Sequence, residues 1–447
     1  MSALRPYADP LALLAGVTAV KLACAATLGL SEDEAYYWVW GQHLAAGYFD
    51  HPPAIAWLIR GGTALLGNTE LGVRLLPILG GFIGAALLLP LARDRMLLAA
   101  MLAFFPLYAL GGVLATPDAP LILSWAGALA AAAAGAWPLV GLACGLAMLS
   151  KYTGVLLLPL LVAAEPGALR TRGPWLAAGL AFLVYLPNAL WNIDHSEISW
   201  HFQIDHVARA ADRLGFFLAQ VGLAGPLLFG AFAAWWAVGW RGDRVERLAW
   251  WSSLPLLVLA TGIGGEANWA APAFLGAAVG LSRRAGGFAR AAWAGAGMAG
   301  LISAVVLIHA QRPLVDLPSD PLDRLAGGRT LAESVSAWGI PDVYTSRYQE
   351  AALIQFYSGI PARTLPDSGR PNQYDLWPAP LADHALFVRP WRASTTMAMT
   401  KLGYDSPGPN AVSAYVNTTD PTTPRLIARW QVYEVRRIAP RSGASGL

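Results

Sequence analysis

The sequence predicts a polytopic α-helical membrane protein followed by a small α/β domain, and three observations carry that prediction. Of the 447 residues, 56% are hydrophobic and only 13% charged, where an ordinary soluble domain has roughly a quarter charged residues. Apolar runs long enough to enter a bilayer follow one another down to residue 312. Beyond that, Pro, Asp, Ser, Thr and Arg become common, and no window of roughly 20 residues could span. The expected division is therefore residues 1–312 in the membrane and 313–447 outside it.

Taken in order, the expected spans lie near 11–29, 71–92, 96–115, 120–135, 137–150, 153–164, 175–191, 214–240, 249–263, 270–282 and 291–310, about eleven in all. The segment after Met1 holds Pro10 and an apolar run with no convincing small-residue cleavage site, so it reads as a retained first span. Residues 137–164 would be about 42 Å long as one helix, too long, or about 20 Å per piece as two, short. Loop charges decide between them. With two spans there, the cytoplasmic loops collect Arg5, Arg93, Arg95, Arg170, Arg172, Arg241, Arg244, Arg247, Arg283, Arg284 and Arg290, and the external short loops hold only Arg60, Arg74, Lys151, Arg209 and Arg213. That satisfies the positive-inside bias, with the N-terminus cytoplasmic and the C-terminal domain external. Formal net charge is +3, spread over loops, which gives no reason to invoke nucleic acid. Cys24 and Cys144 fall inside apolar spans and read as small hydrophobes. In the C-terminal part, 346–358 has helical spacing, while ALFVRP and RLIARWQVYEVRRI alternate as strands do.

The chemistry-bearing residues cluster in the external loops. Residues 31–53, SEDEAYYWVWGQHLAAGYFDHPP, put Glu32, Asp33 and Glu34 directly after the first span, and acids at such a depth suggest chemistry or ion traffic. A helix over 33–46 would carry the acids in its first turn, and it would lie along the membrane surface with its Tyr and Trp residues at headgroup level. The competing explanation is that the acids only cap that helix. Asp118, in TPDAPL, starts the next external turn, and Lys151, in LSKYTG, starts the one after. Asp118 reads equally well as an N-cap. Lys151 is one of only three lysines; it sits where it can snorkel to the outer interface, and a cation there suits a lipid phosphate.

These residues resemble a known family, the polyprenyl-phosphate-sugar-dependent membrane glycosyltransferases of GT-C type. The protein O-mannosyltransferases and the lipid A aminoarabinose transferase are members of it. DEAYYW followed by YFDHPP, TPDAPL, LSKYTG, NIDHSEISWHFQ and EANW carry the likeness, in that order on alternating loops. RYQEAALIQFYS and PNQYDLW look like the outer domain of bacterial members. The resemblance implies an inverting transfer from an undecaprenyl-phosphate-like donor to a periplasmic glycan, lipid or protein at the bacterial inner membrane. Such a donor carries its own leaving group, so one base and a cationic phosphate site suffice. Asp33 matches the family's first-loop aspartate and is the implied base, with Glu34 orienting it or binding a sugar hydroxyl; the extra acid, Glu32, leaves open which carboxylate acts. Asp118 matches the second acidic position. Lys151, with Arg74 and Arg60, is the implied phosphate clamp, and Arg74 reads alternatively as an interfacial anchor for its span.

Other positions carry two readings each. His51 in DHPP suits substrate contact or a structural hydrogen bond. Asn192, Trp200 and Gln203 are candidates for donor or acceptor contact, as are Tyr36 and Tyr37. Glu266, Asn268 and Trp269 occupy an external turn where the indole would stack on sugar or anchor the interface. Arg347 and Tyr348, with Gln373 and Tyr374, would form a lid or simply the outer domain's own core. His195, His201 and His206 lack the i, i+4 spacing of helical zinc sites. A divalent cation between Asp33 and Asp118 has suitable ligands, but a monophosphate donor does not call for one, so no metal or cofactor is expected. The alternative function is a transporter or flippase of lipid-linked sugars. It should show internal repeats and mid-membrane polar residues, and only Lys21 lies well inside a span.

Overall fold

The structure, a computed structural model, describes residues 6–317, 320–366, 369–377, 379–391, 404–405, 408–416 and 425–437. It is mostly helical and divides into two units, Met1–Ala26 with Leu44–Leu307, and Thr27–His43 with Ile308–Leu447.

Among the described residues of the whole chain, four helices are long and apolar enough to cross a membrane: Ala8–Thr27, Glu70–Leu91, Gly173–Asp194 and Gly287–Gln311. Two further pairs pass the same test together but bend sharply, Arg95–Phe104 with Pro106–Val113 by 66°, and Arg213–Ala224 with Pro226–Trp236 by 107°. Both breaks fall at a proline, which lacks the N–H the helix needs. The second also passes through Gly225 at φ 71°, a left-handed conformation that glycine adopts without penalty. The expected span over 214–240 is thus divided into two helices by a sharp bend. The stretch 137–164 divides as expected, into Trp137–Ser150 and an apolar piece over Tyr152–Ala164, with Lys151 extended between them. One short apolar helix, Ala54–Leu66, falls between the expected spans.

Small residues set the helix spacing in this unit. A Cβ added to Gly141 would lie 2.5 Å from the Ala177 carbonyl oxygen, and one added to Gly145 would lie 2.9 Å from that of Ala181. Gly141 and Gly145, four apart, therefore face Ala177 and Ala181, four apart, in the small-residue packing by which helices approach closely in lipid. The core beyond them, largely alanine and leucine, contains an aromatic cluster, with Phe105 against Phe274 at 4.8 Å and Phe232 against Phe274 at 5.7 Å. Lys21 is accommodated within its apolar helix because its Nζ donates to the carbonyl oxygen of Tyr108 at 2.7 Å, at the end of the short helix that follows the 66° bend. At one end of helix Asp118–Ala133, Arg244 donates to the carbonyls of Ala132 (2.9 Å) and Ala133 (2.6 Å) and pairs with Glu165. Asp243, the residue before Arg244, pairs with Arg283 at 2.5 Å and with Arg93 at 3.4 Å.

The second unit holds a mixed sheet in the order β2-β1-β3-β6-β4, with β5 also paired to β6. The strands are β1 Val343–Thr345, β2 Ala362–Thr364, β3 His384–Pro390, β4 Tyr404–Asp405, β5 Pro409–Val416 and β6 Arg425–Arg437. β1 and β2 are parallel and joined by helix Tyr348–Ser358, while β3 and β6 are antiparallel, Phe387 facing Tyr433. β3, β6 and helix Tyr348–Ser358 stand where alternation and helical spacing place them; β1, β2, β4 and β5 are additional strands not expected from the sequence. Helix Glu32–Gln42, shorter than the expected 33–46, belongs to this unit. Its aromatic residues do not lie open to headgroups: Tyr36, Tyr37, Trp38 and Trp40 are all buried. Trp38 meets Phe356 edge-on at 5.1 Å, and the Tyr357 hydroxyl accepts from the Leu30 N–H at 2.8 Å.

Gly141→Val forces helix Trp137–Ser150 off helix Gly173–Asp194 and should lower stability by about 1–3 kcal/mol. Thermal melting of the purified protein checks this, and an unchanged melting temperature would contradict the close approach.

Candidate active site

The first unit gathers three of the sequence motifs on one carboxylate. Asp118, buried at the first residue of its helix, accepts from Lys151 Nζ at 2.9 Å on Oδ1 and from Asn268 Nδ2 at 2.5 Å on Oδ2. The side chains of Asp118 and Lys151 are only about a tenth exposed, so the pair is held away from water. TPDAPL supplies the acid, LSKYTG the cation and EANW the amide. The EANW turn is tied down by Gln220, whose Nε2 donates to the Ala267 carbonyl at 2.9 Å. Asp118 caps nothing with its side chain, since its helix begins after Pro117 with no side-chain cap.

Next in sequence to Lys151, Tyr152 shares a hydrogen bond with Ser199 at 2.6 Å and accepts from Asn192 Nδ2 at 3.2 Å. Asn192 is fully buried and also donates to the Asn188 carbonyl at 3.1 Å, and Asn188 Nδ2 donates to the Ala46 carbonyl at 2.8 Å. Trp200 Nε1 donates to the Tyr185 hydroxyl at 2.9 Å. Gln203 Nε2 donates to the Asp50 carbonyl at 2.6 Å and stands 3.5 Å from His51 Nδ1, so it braces the DHPP loop. In the same loop, burial pushes the Tyr48 phenol up to about 12. The three histidines go to separate neighbours: His195 stacks on Trp191 at 4.1 Å, His201 pairs with Glu197 at 3.6 Å, and His206 pairs with Glu266 at 3.6 Å and lies 5.6 Å from the Trp269 ring. Among the described residues no three His, Cys, Asp or Glu side chains are placed to share a metal ion. Arg74 is fully buried and donates to the Ala25 carbonyl at 3.2 Å, while Arg60 is exposed on helix Ala54–Leu66.

In the second unit the three acids have different surroundings. Glu34 completes a capping box: its Oε2 accepts from the Ser31 N–H at 2.9 Å, and Ser31 Oγ accepts from the Glu34 N–H at 3.4 Å. Glu32 pairs with Arg347 at 3.3 Å, and Arg347 pairs with the buried Glu350 at 3.2 Å. Burial raises the Glu32 carboxyl above its usual range, Arg347 opposes this and Asp33 adds to it. Asp33, 39% exposed, receives the Tyr348 hydroxyl on Oδ1 at 3.4 Å and Arg324 Nη2 on Oδ2 at 3.3 Å. Tyr36 lies against Tyr348 with ring centroids 4.3 Å apart, and its hydroxyl accepts from the Gln373 N–H at 2.7 Å. Tyr37 meets Trp40 edge-on at 4.8 Å, and Gln355 donates to the Tyr374 hydroxyl at 2.8 Å.

Arg347 and Tyr348 are candidates in the sequence as a lid or as core, and in the structure they contact Glu32 and Asp33. Arg324 is no such candidate, since it stands in a polar stretch with no motif around it. Tyr152 had a signal, being the residue beside Lys151 in LSKYTG, and Asn188 lay one turn before Asn192.

Comparison with known proteins now bears on this arrangement. Residues 50–191 match the dolichyl-phosphate-mannose-protein mannosyltransferase family. Lipid A galacturonosyltransferase RgtD of Rhizobium johnstonii is 33% identical over 277 residues, covering 54% of this chain and 58% of that protein. An undecaprenyl phosphate-alpha-4-amino-4-deoxy-L-arabinose arabinosyl transferase of Sodalis glossinidius is 30% identical over 266 residues, 51% of this chain and 47% of that one. The chain thus spans about half the length of these curated relatives. The fold is that of ArnT from Cupriavidus metallidurans, whose apo structure aligns at TM-score 0.64 and 18% identity over 97% of this chain and 98% of that one. Its undecaprenyl phosphate-bound structure aligns at 0.65 and 16%, over 97% and 99%. In sequence and in fold, the chain therefore resembles the GT-C membrane glycosyltransferases. Within that class it is similar to the protein mannosyltransferase and ArnT group, as its motifs led us to expect.

Two predictions rest on this geometry. Lys151→Ala leaves the buried Asp118 charge uncompensated and should cost about 3 kcal/mol; adding Asp118→Asn should recover much of that in thermal melts, and an additive loss in the double variant would argue against the pair. Glu350 supplies the second. Burial pushes its carboxyl up to about 7 against the pull of Arg347, whereas the unfolded chain ionises near 4.5. Between those values the unfolded state binds fewer protons, so stability should fall as pH rises from 4.5 to 7 and level off above. Glu350→Gln should flatten that slope in melts taken across this range, and a slope of the same size in the variant would remove Glu350 as its source.

Proposed function

We propose that the protein is an inverting glycosyltransferase that moves a sugar from an undecaprenyl-phosphate-type donor to an acceptor at the periplasmic face of a bacterial inner membrane. The single observation that carries the proposal is the meeting of Asp118, Lys151 and Asn268, residues of three separate motifs, on one buried carboxylate. The relatives support it. RgtD is named for transfer of galacturonosyl groups to lipid A, the arabinosyl transferases are named for an undecaprenyl phosphate sugar, and one ArnT structure holds undecaprenyl phosphate. The arginine distribution supports a cytoplasmic N-terminus, about eleven spans and a periplasmic C-terminal domain beyond residue 312.

In this reading Asp33 takes the proton of the acceptor hydroxyl as that oxygen attacks the anomeric carbon. The bond from that carbon to the phosphate oxygen breaks, and the lipid phosphate departs with the electron pair. Asp118 holds Lys151 in place; an ammonium has three N–H donors, one goes to Asp118, and in this reading the others serve the departing phosphate. Arg74 and Arg60 add positive charge on the same side by the loop assignment. Asn192, Trp200, Gln203, His51, Glu266 and Trp269 frame the donor and acceptor through the loops they brace. A guanidinium or ammonium at a developing phosphate charge lowers the barrier most when it is already in place and partly desolvated.

The test is a deletion strain complemented by each variant, read by mass spectrometry of envelope lipids and polysaccharides. Asp33→Asn should abolish a sugar modification that the native gene restores, a loss of at least about a hundredfold. Full restoration by the Asn variant would remove Asp33 from the mechanism, and loss of modification in the deletion strain with the lipid-linked sugar accumulating on the cytoplasmic side, instead of unused on the periplasmic side, would favour the flippase alternative.

A further inference from the structure

We propose that Arg324 and Tyr348 are positioning residues for Asp33, so that the C-terminal unit aims the base instead of merely covering it. The inference rests on the reading of Asp33 as base and goes beyond it by identifying what holds that carboxylate. Of the three adjacent acids, Glu34 is spent on the capping box and Glu32 on Arg347. Asp33 is approached on both oxygens by different elements, Tyr348 on Oδ1 and Arg324 on Oδ2. Each carboxylate oxygen accepts more than one hydrogen bond, so these contacts set the plane of the group and still leave a lone pair for an incoming hydroxyl.

Both partners are themselves fixed. Tyr348 is stacked against Tyr36 at 4.3 Å and lies under the Arg370 guanidinium at 5.1 Å. Arg324 sits on the short turn Pro321–Leu325, which is anchored on three sides. Asp320 pairs with His309 at 2.8 Å, Asp323 takes Arg425 in a two-pronged pair at 2.6 and 2.7 Å, and the Leu325 carbonyl packs against Gly29, where an added Cβ would lie 2.4 Å away. A group held by residues that are in turn held is what a reacting carboxylate needs, because small misplacements of a base cost rate without costing affinity.

The experiment uses the full-length protein in the complemented deletion strain and after purification, with undecaprenyl phosphate as the binding probe. Arg324→Gln and Tyr348→Phe should each slow the initial rate of envelope modification by about tenfold or more, with undecaprenyl phosphate affinity changed by less than about twofold and melting temperature unmoved. Arg324→Lys should restore part of the rate. If Arg324→Gln fails to fold, Tyr348→Phe decides, since it removes one hydroxyl and keeps the ring stack. Native rates in both variants, alongside a dead Asp33→Asn, would overturn the positioning role and leave the base assignment standing. Loss of undecaprenyl phosphate affinity in step with rate would also overturn it, by making these residues part of the donor site. An active Asp33→Asn would remove the base assignment and this inference together.

Discussion

The structure depends first on how a carboxylate survives in an apolar helical unit. A buried ionised acid is tolerated only when paired and hydrogen-bonded on its remaining oxygens, and Asp118 meets both conditions through Lys151 and Asn268. That requirement explains why the helix Trp137–Ser150 breaks where it does. Lys151 stands in extended backbone between two helical pieces, which lets its ammonium turn back to the acid instead of following the helix. The Gln220 hydrogen bond that fastens the EANW turn serves the same requirement, since an amide free to wander would leave Asp118 Oδ2 without its donor.

Much of the fold was readable because hydrophobic runs and strand alternation are local signals. The helix over Tyr348–Ser358 and the strands β3 and β6 follow from composition within a dozen residues, whereas the break at Lys151 needed the arginine distribution over all the loops. The sharp bend at Gly225–Pro226 was written in that dipeptide but outvoted by the hydropathy on either side. Less visible was the facing of Gly141 and Gly145 to Ala177 and Ala181, since alanine-rich helices offer many such registers and only the packed structure selects one. The site was legible as motifs, not as contacts. Asp118, Lys151 and Asn268 were separate candidates in the sequence, and nothing in their spacing said that one carboxylate joins them.

The largest departure concerns the first-loop helix. Its sequence, with acids at the start and aromatic residues after, fits an interfacial helix, and amphipathic spacing alone cannot distinguish a face that meets lipid from one that meets protein. The partners that decide the matter, Tyr348, Phe356, Tyr357 and Gln373, lie hundreds of residues on. The same distance hid the fates of the three acids. One became a cap, one an ion-pair partner, and one was left with two donors and open space.

The membership of that helix has a consequence for biosynthesis. Thr27–His43 leaves the ribosome early, yet the chain that covers it begins only at Ile308. Until the C-terminal portion has been made, Tyr36 has no Tyr348 and Trp38 no Phe356 to cover it. Domains usually mature from the N-terminus as they emerge, but here an early segment must be kept from misassociation through the synthesis of every intervening helix. A nascent chain stalled before the C-terminal portion would therefore display an aromatic, acid-tipped helix as a target for quality control.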